Sequence, residues 1–288
     1  MVSVQAMACP FHSIMKNGEP LLYPYILSKS GDVTIHNISP CHGRSFIVDK
    51  RGQREFVVTK GNGLNYSSST FLNTREMGDD TWGLLLRKDA ERDFLLGNEI
   101  SSLGIKTNKM EAVIELEADI ELPTNKIVHP VLLQYTVECP YRIEDCAFMP
   151  QRTLWEEVMR WERLNERGYE MAYLIAADVL IHNLRILHDN NILHNAIHIG
   201  NYTWALELLD FELACSPKHP YENEDYQRHA VDLFEREIIH TYVVINYIAG
   251  CLQEVVDFKV LDKLFNRYGF DLNAYSVNIE REGPHNLQ

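Results

Sequence analysis

The residues best suited to chemistry cluster in the stretch from Leu187 to Leu213, LHDNNILHNAIHIGNYTWALELLDFEL. Asn201 offers an amide oxygen and Asp210 a carboxylate. Oxygen ligands of this kind suit Mg²⁺, which takes one or two protein side chains and fills its octahedron with phosphate and water oxygens. Far upstream, Lys60 ends the apolar run Phe56-Val57-Val58-Thr59 and is followed by Gly61-Asn62-Gly63. An ammonium at a strand end, next to glycines, is placed to hold phosphate oxygens. The plainer reading makes Lys60 a solvated strand-end charge and the later stretch an ordinary polar-ended hairpin.

These groups need elements to position them. Val33–Ile38, Ser45–Val48 and Glu55–Lys60 are β-branched and alternating, and read as strands. Lys50-Arg51-Gly52-Gln53 is a hairpin turn between the last two. From Trp82 a helical period runs through Leu85, Leu86, Ala90, Phe94, Leu95, Ile100 and Leu103 and stops at Gly104. Two further strands are expected at Met110–Leu116 and Val131–Val137. After Cys139-Pro140 the pattern turns helical, with Thr153–Arg167, Gly168–Asp189, Ala230–Leu252 and Val255–Asn266. The stretch at 187–213 reads as a helix end, a polar loop, two short strands and an acidic turn. The class expected is α+β in two lobes, sheet-rich over 1–138 and helical over 139–288.

Composition limits the function. The 288 residues carry a formal net charge of −14, which argues against a general nucleic-acid or anionic-membrane binder. Six cysteines are scattered with no C-x-x-C pair, as suits a reducing compartment, so a cytoplasmic location is expected. No apolar run approaches a membrane span and no secretory signal is visible at the N-terminus.

The order strand-strand-strand-helix-strand-strand, with a lysine ending the third strand, is that of a protein-kinase N-lobe. In kinases a catalytic-loop Asn and the Asp of a D-F-G turn hold the metal over ATP, and a helix carboxylate pairs with the lysine. Five segments then resemble one family in order: VVTKGNGLNYSS, RDFLLGNEISSLGIKTNKMEAV, HPVLLQYTVECPYRIED, ILHNAIHIGN and LLDF. Together they resemble the selenoprotein O family, kinase-fold protein adenylyltransferases that bind ATP in an inverted pose and transfer AMP. The resemblance spans about Cys41 to Phe211 and implies a bilobal kinase-like fold with ATP and Mg²⁺ as cofactors. The acceptor it implies is a hydroxyl on a protein or small molecule. Lys60, with Gly61 and Gly63, resembles the phosphate-binding segment. Asp93 stands where that family has the glutamate that positions the lysine, with Glu99 as a second candidate. Asn201 and Asp210 resemble the metal ligands. Gly43 and Arg44 match a D-G-R turn, and Arg142 resembles the second of two arginines that grip the terminal phosphate.

The departures are chemical. The carboxylate that precedes the metal-binding Asn in that family is Gly200 here, and the ordinary kinase base position falls on Ala196. The first arginine position is Gln134. His198, or His194, is the substitute base expected, because imidazole titrates in the useful range. Two alternatives remain beside adenylyl transfer: phosphoryl transfer on the same scaffold, and a nucleotide-binding pseudokinase acting as an interaction module. A zinc site at His188, His194 and His198 is disfavoured by the Asn- and Gly-rich loop and by the lack of an H-E-x-x-H glutamate.

Overall fold

The computed structural model describes residues 2–3, 15–16, 19–20, 38–42, 44–61, 83–115, 120–121, 127–220 and 230–275. It has a mixed architecture: a largely antiparallel sheet and, among the described residues, five α-helices. The chain divides into two compact units, Met1–Asn98 with Asn108–Pro140, and Glu99–Thr107 with Tyr141–Gln288. Residues 99–107, expected in the first part, therefore group with the second.

In the first unit the strands are β1 (Val2–Ser3), β2 (Met15–Lys16), β3 (Glu19–Pro20), β4 (Ile38–His42), β5 (Ser45–Lys50) and β6 (Phe56–Lys60). They continue with β7 (Leu85–Leu86), β8 (Lys109–Glu115), β9 (Ile120–Glu121), β10 (Ile127–Val128) and β11 (Pro130–Val137). The main sheet has the order β1-β8-β11-β6-β5-β4, with β7 also pairing β11. All its pairings are antiparallel except β1 with β8. β2–β3 and β9–β10 form separate two-stranded ladders. The strand expected at 33–38 lies mostly outside the described residues.

β11, PVLLQYTV, is buried at every position but Gln134. A strand covered on both faces reads as a continuous apolar run, and it takes the centre of the sheet for that reason. Its register sets Leu133 opposite Lys60 and Gln134 opposite Thr59.

Helix α1 (Arg87–Ser102) begins five residues later than its periodicity suggests, because Leu85 and Leu86 are paired to β11. Its buried stripe is Ala90, Asp93, Leu96 and Ile100, while Leu95 is 47% exposed. The expected apolar face was thus rotated. A carboxylate holds a core position that hydrophobicity alone assigns to Phe94 or Leu95.

The second unit contains α2 (Gln151–Trp161), α3 (Ala172–Asp189), α4 (Ala230–Cys251) and α5 (Phe258–Arg267). α3 starts after the expected residue 168. Gly168 has φ +67°, and Asn165 closes a turn by accepting from Tyr169 N and donating to Tyr169 O. Tyr173, Ala176, Ala177, Leu180, Ile181, Leu184 and Leu187 on α3 are fully buried, so this helix runs through the core of its unit. No described helix is long and apolar enough to cross a membrane.

The orphan amides at the start of α3 are met by a residue remote in sequence. Glu254 accepts from Ala172 N at 2.9 Å and from Tyr173 N at 2.8 Å. Negative charge at a helix N-terminus also opposes the macrodipole. We expect Glu254→Ala to lower stability by about 1–2 kcal/mol, read as a shifted urea midpoint at constant m-value. Glu254→Gln, which keeps an acceptor, should lose less.

Candidate functional site

Two groups of polar residues, one in each unit, account for most of the expected site. In the first unit Lys60 Nζ donates to Asp93 Oδ2 at 2.6 Å. The lysine is 3% exposed and the aspartate 1%. The pair joins the end of β6 to the inner face of α1. Burying two charges is costly, and an apolar pair of similar volume generally serves a core as well or better. A buried ion pair is therefore a poor device for stability alone. Glu99, the second candidate partner, is held elsewhere: it accepts from Ser216 Oγ at 2.7 Å and lies 3.3 Å from Lys218.

Gly61 follows Lys60 with φ +99°, and a Cβ there would stand 2.6 Å from Leu85 Cβ and 2.9 Å from Val131 O. The glycine is required by close packing within the sheet, a different reason from the phosphate cradle expected of it. Its amide donates to Arg44 O at 3.1 Å, which ties Arg44 to the end of β6. Gly43 and Gly63 lie outside the described residues. Gln134 Nε2 donates to Glu111 Oε2 at 2.7 Å, and Glu111 also takes Arg51 at 2.7 Å. The expected first anion clamp is part of a polar ladder on the sheet and adds no positive charge.

In the second unit the expected hairpin is replaced by a loop with isolated bridges, Tyr202 to Leu208, Arg142 to Thr203 and Leu193 to Cys215. The loop is short because side chains do the work of a ladder. Thr203 Oγ1 donates to Glu207 Oε2 at 2.8 Å and accepts from Ala205 N and Glu207 N, all buried. Leu206 takes φ +59° at the turn, a conformation that bulky residues seldom adopt. Trp204 stacks on Trp161 with centroids 5.7 Å apart, and Trp161 Nε1 donates to Trp204 O. Leu209 N then donates to Asn201 O at 2.9 Å, so the two ends of the loop are fastened together.

This closure sets Asp210 one residue beyond the backbone partner of Asn201. Asn201 Nδ2 donates to Ala196 O at 2.9 Å, which fixes the amide and leaves Oδ1 as the atom it could offer to a metal. Asp210 has φ +67°, a left-handed conformation that aspartate tolerates better than most residues. His194 holds it from both sides. His194 Nε2 lies 2.8 Å from Leu209 O, and its ring meets Phe211 edge-on at 5.4 Å. An amide oxygen and a carboxylate set this way fit the hard-oxygen preference of Mg²⁺.

The histidines do not fit the role of base. His194 is fully buried; Ala196 N donates to its Nδ1, so its Nε2 carries the proton and donates to Leu209 O. Both nitrogens are committed to shaping the loop, which also removes it from any zinc set. His188 Nε2 meets Glu237 Oε2 at 3.0 Å, and Glu237 Oε1 accepts from Asn195 N, fastening the loop to α4.

His198 accepts from Gly200 N on Nδ1 at 3.0 Å, so its lone pair is used. Burial, then the neighbouring His194, push its pKa down to about 4, with Asp210 opposing and Arg142 adding to the fall. The residue as a whole is nevertheless exposed. An imidazole this weakly basic, with its acceptor nitrogen occupied, is a poor proton acceptor near neutrality.

Arg142 is brought to the same loop. Its Nη1 donates to Gly200 O at 2.8 Å, and Ile143 N donates to Tyr202 O at 2.8 Å. The short 3-10 turn Ile143–Ala147 is thereby docked on Ile199–Asn201. Its Asp145 accepts from Arg142 N at 2.6 Å, and burial raises its pKa to about 6. Neither the docking of this turn nor the roles of Glu237 and Glu254 carries a local sequence signal, because each partner is remote in the chain. The Thr203 and Glu207 pairing, four residues apart, was visible in principle.

No protein-family model matches this chain, and no curated protein is significantly similar to it.

Two outcomes follow from this geometry. Asp93→Ala takes the carboxylate 2.6 Å away from the buried Lys60 ammonium and should cost about 3–5 kcal/mol. The double variant Lys60→Met, Asp93→Leu should recover most of that loss in denaturant unfolding. His198, with its folded pKa below its unfolded value, favours the native state when neutral. Its contribution is present above about pH 6.5 and is lost as pH falls toward about 4. An NMR titration should show the His198 ring unchanged from pH 7 to 5.5, where a free histidine is already largely protonated.

Proposed function

We propose that this chain is an ATP- and Mg²⁺-dependent transferase with a bilobal kinase-like fold, moving AMP to a hydroxyl on a protein or small molecule. The observation that carries this reading is the buried Lys60–Asp93 ion pair at the end of a sheet strand. A buried lysine held by a helix carboxylate is the arrangement kinase-like enzymes use to hold nucleotide phosphates. The fastening of Asn201 beside Asp210 supports it from the second unit.

In this reading Lys60, oriented by Asp93, binds phosphate oxygens. Asn201 Oδ1 and the Asp210 carboxylate would hold the metal, which would supply positive charge to neutralise the phosphates. Arg142, anchored on Gly200 O, directs its guanidinium to the terminal phosphate and retains it. The α-phosphorus is then the centre open to attack. Gln134, bonded to Glu111, gives no help to that grip. Gly200 favours a second reading, nucleotide binding without transfer, since no side chain at that position can accept a proton. Phosphoryl transfer on the same scaffold is the third.

Calorimetry should find ATP binding that requires Mg²⁺ and is weakened about tenfold or more by Asp210→Ala, because the metal loses its one charged ligand. Equal affinity of variant and native chain would refute the metal assignment. Transfer should then be followed with ATP labelled at the α- or the γ-phosphate. Label from the α-position on the protein or an added acceptor is the outcome expected. Label from the γ-position alone makes the chain a kinase, and binding without either label makes it a pseudoenzyme.

A further inference from the structure

The missing carboxylate at Gly200 has a physical counterpart. A Cβ built on Gly200 would stand 2.8 Å from Glu144 Oε2 and 2.8 Å from His198 Cε1. Space beside the backbone of residue 200 is thus already filled, and one of the atoms filling it is a carboxylate oxygen. Glu144 belongs to the 3-10 turn Ile143–Ala147, next to Arg142. That turn is fixed on the loop at two points, by Ile143 N to Tyr202 O and by Arg142 Nη1 to Gly200 O. The residue that follows Gly200 is Asn201, whose Oδ1 is oriented by its bond to Ala196 O. A carboxylate is therefore presented at the base of the metal-binding loop from a different segment of chain.

We propose that Glu144 is the general base of the transfer reaction, acting where residue 200 has no side chain. The inference rests on the transferase reading above. A phosphate-transfer site gains rate from a proton acceptor for the attacking hydroxyl within reach of the bound nucleotide. His198 is unsuited, with its Nδ1 accepting from Gly200 N. His194 has both nitrogens bound. Glu144 is exposed, so an acceptor hydroxyl can approach it from solvent.

In the step itself, the acceptor oxygen forms a bond to the α-phosphorus of ATP as its proton passes to the Glu144 carboxylate. The bond from the α-phosphorus to the bridging oxygen breaks, and that electron pair leaves on pyrophosphate. The products are the AMP ester, pyrophosphate and a protonated Glu144, which returns its proton to water. A side chain at position 200 would displace the Glu144 carboxylate and crowd the His198 ring, so glycine there leaves this arrangement undisturbed.

The test compares native chain, Glu144→Gln and Glu156→Gln, the last a half-buried carboxylate on α2, paired with Arg152, that serves as a control. Each is assayed for Mg·ATP affinity by calorimetry, for thermal stability, and for self-labelling and AMP release from α-labelled ATP. Glu144→Gln keeps size and hydrogen-bonding shape but cannot take the proton. We expect its Mg·ATP affinity to stay within about twofold and its transfer rate to fall about 100-fold or more, with Glu144→Asp intermediate and the control unchanged.

Native affinity with undiminished transfer in Glu144→Gln would overturn the assignment and leave the transferase reading standing. Loss of affinity or of folding in step with rate would assign Glu144 a structural or metal-holding role and likewise overturn it. Nucleotide binding by the native chain with no transfer would overturn it by showing no reaction to catalyse. Failure of the native chain to bind Mg·ATP would remove the transferase reading itself.

Discussion

The buried imidazole of His194 is the constraint on which the second unit's polar loop depends. Its two nitrogens face opposite ways and each meets a backbone group, Ala196 N on one side and Leu209 O on the other. Because the ring is inaccessible to water, losing either bond would leave a buried polar group unsatisfied, which costs more than an average hydrogen bond contributes. The ring thereby fixes the distance between the two arms of the loop. The Asn201–Leu209 backbone bond and the Thr203–Glu207 turn then follow, and Asp210 is left at the end in a left-handed conformation. Asn201 and Asp210 come together because a histidine, a threonine and a glutamate hold the backbone between them.

The first unit shows the opposite strategy. There a charged pair, Lys60 and Asp93, occupies core positions on a strand and a helix that are otherwise apolar. Desolvating both groups gains little over a hydrophobic pair, so the arrangement is better understood as fixing the position of an ammonium than as holding the fold together. Gly61 beside it shows how tightly that strand end is packed. The first unit holds a fixed cation, and the second holds an amide and a carboxylate on a fastened loop with a guanidinium bonded to its backbone.

The short turn carrying Arg142, Glu144 and Asp145 concentrates charge of both signs against the Gly200 carbonyl. Arg142 satisfies that carbonyl, while Asp145 caps the turn on the Arg142 amide and pays a desolvation penalty seen in its raised pKa of about 6. An aspartate with a folded pKa above its unfolded one favours the native state when protonated. Its contribution is full below the unfolded value near 4 and is lost as pH rises through about 6. Asp145 and His198 therefore pull the acid stability of this region in opposite directions.

Much of this protein was legible along the chain. The β-branched runs at 45–48 and 55–60, the apolar run at 131–137 and the broad stripe of α3 each carry their own periodicity, so their existence and type followed from local chemistry. The candidate residues Lys60, Asp93, Asn201 and Asp210 could be named from the sequence, because side-chain chemistry needs no fold to be named. Periodicity did not show which face of α1 is buried: the pairing of Asp93 with Lys60, expected from the resemblance alone, puts Asp93 in the core and leaves Leu95 exposed. The loop at 201–210 could not be told from a hairpin, since its closure is made by His194 and by Trp161 from outside it. That His198 is a spent acceptor depends on the tight turn that brings Gly200 N to its ring, and that Glu144 lies against Gly200 depends on a contact between segments tens of residues apart. Local sequence determined the elements and the kinds of chemical group they carry. Tertiary structure alone decided which groups meet and which nitrogens stay available, because hydrogen bonds and desolvation are set by neighbours that the chain brings together only on folding.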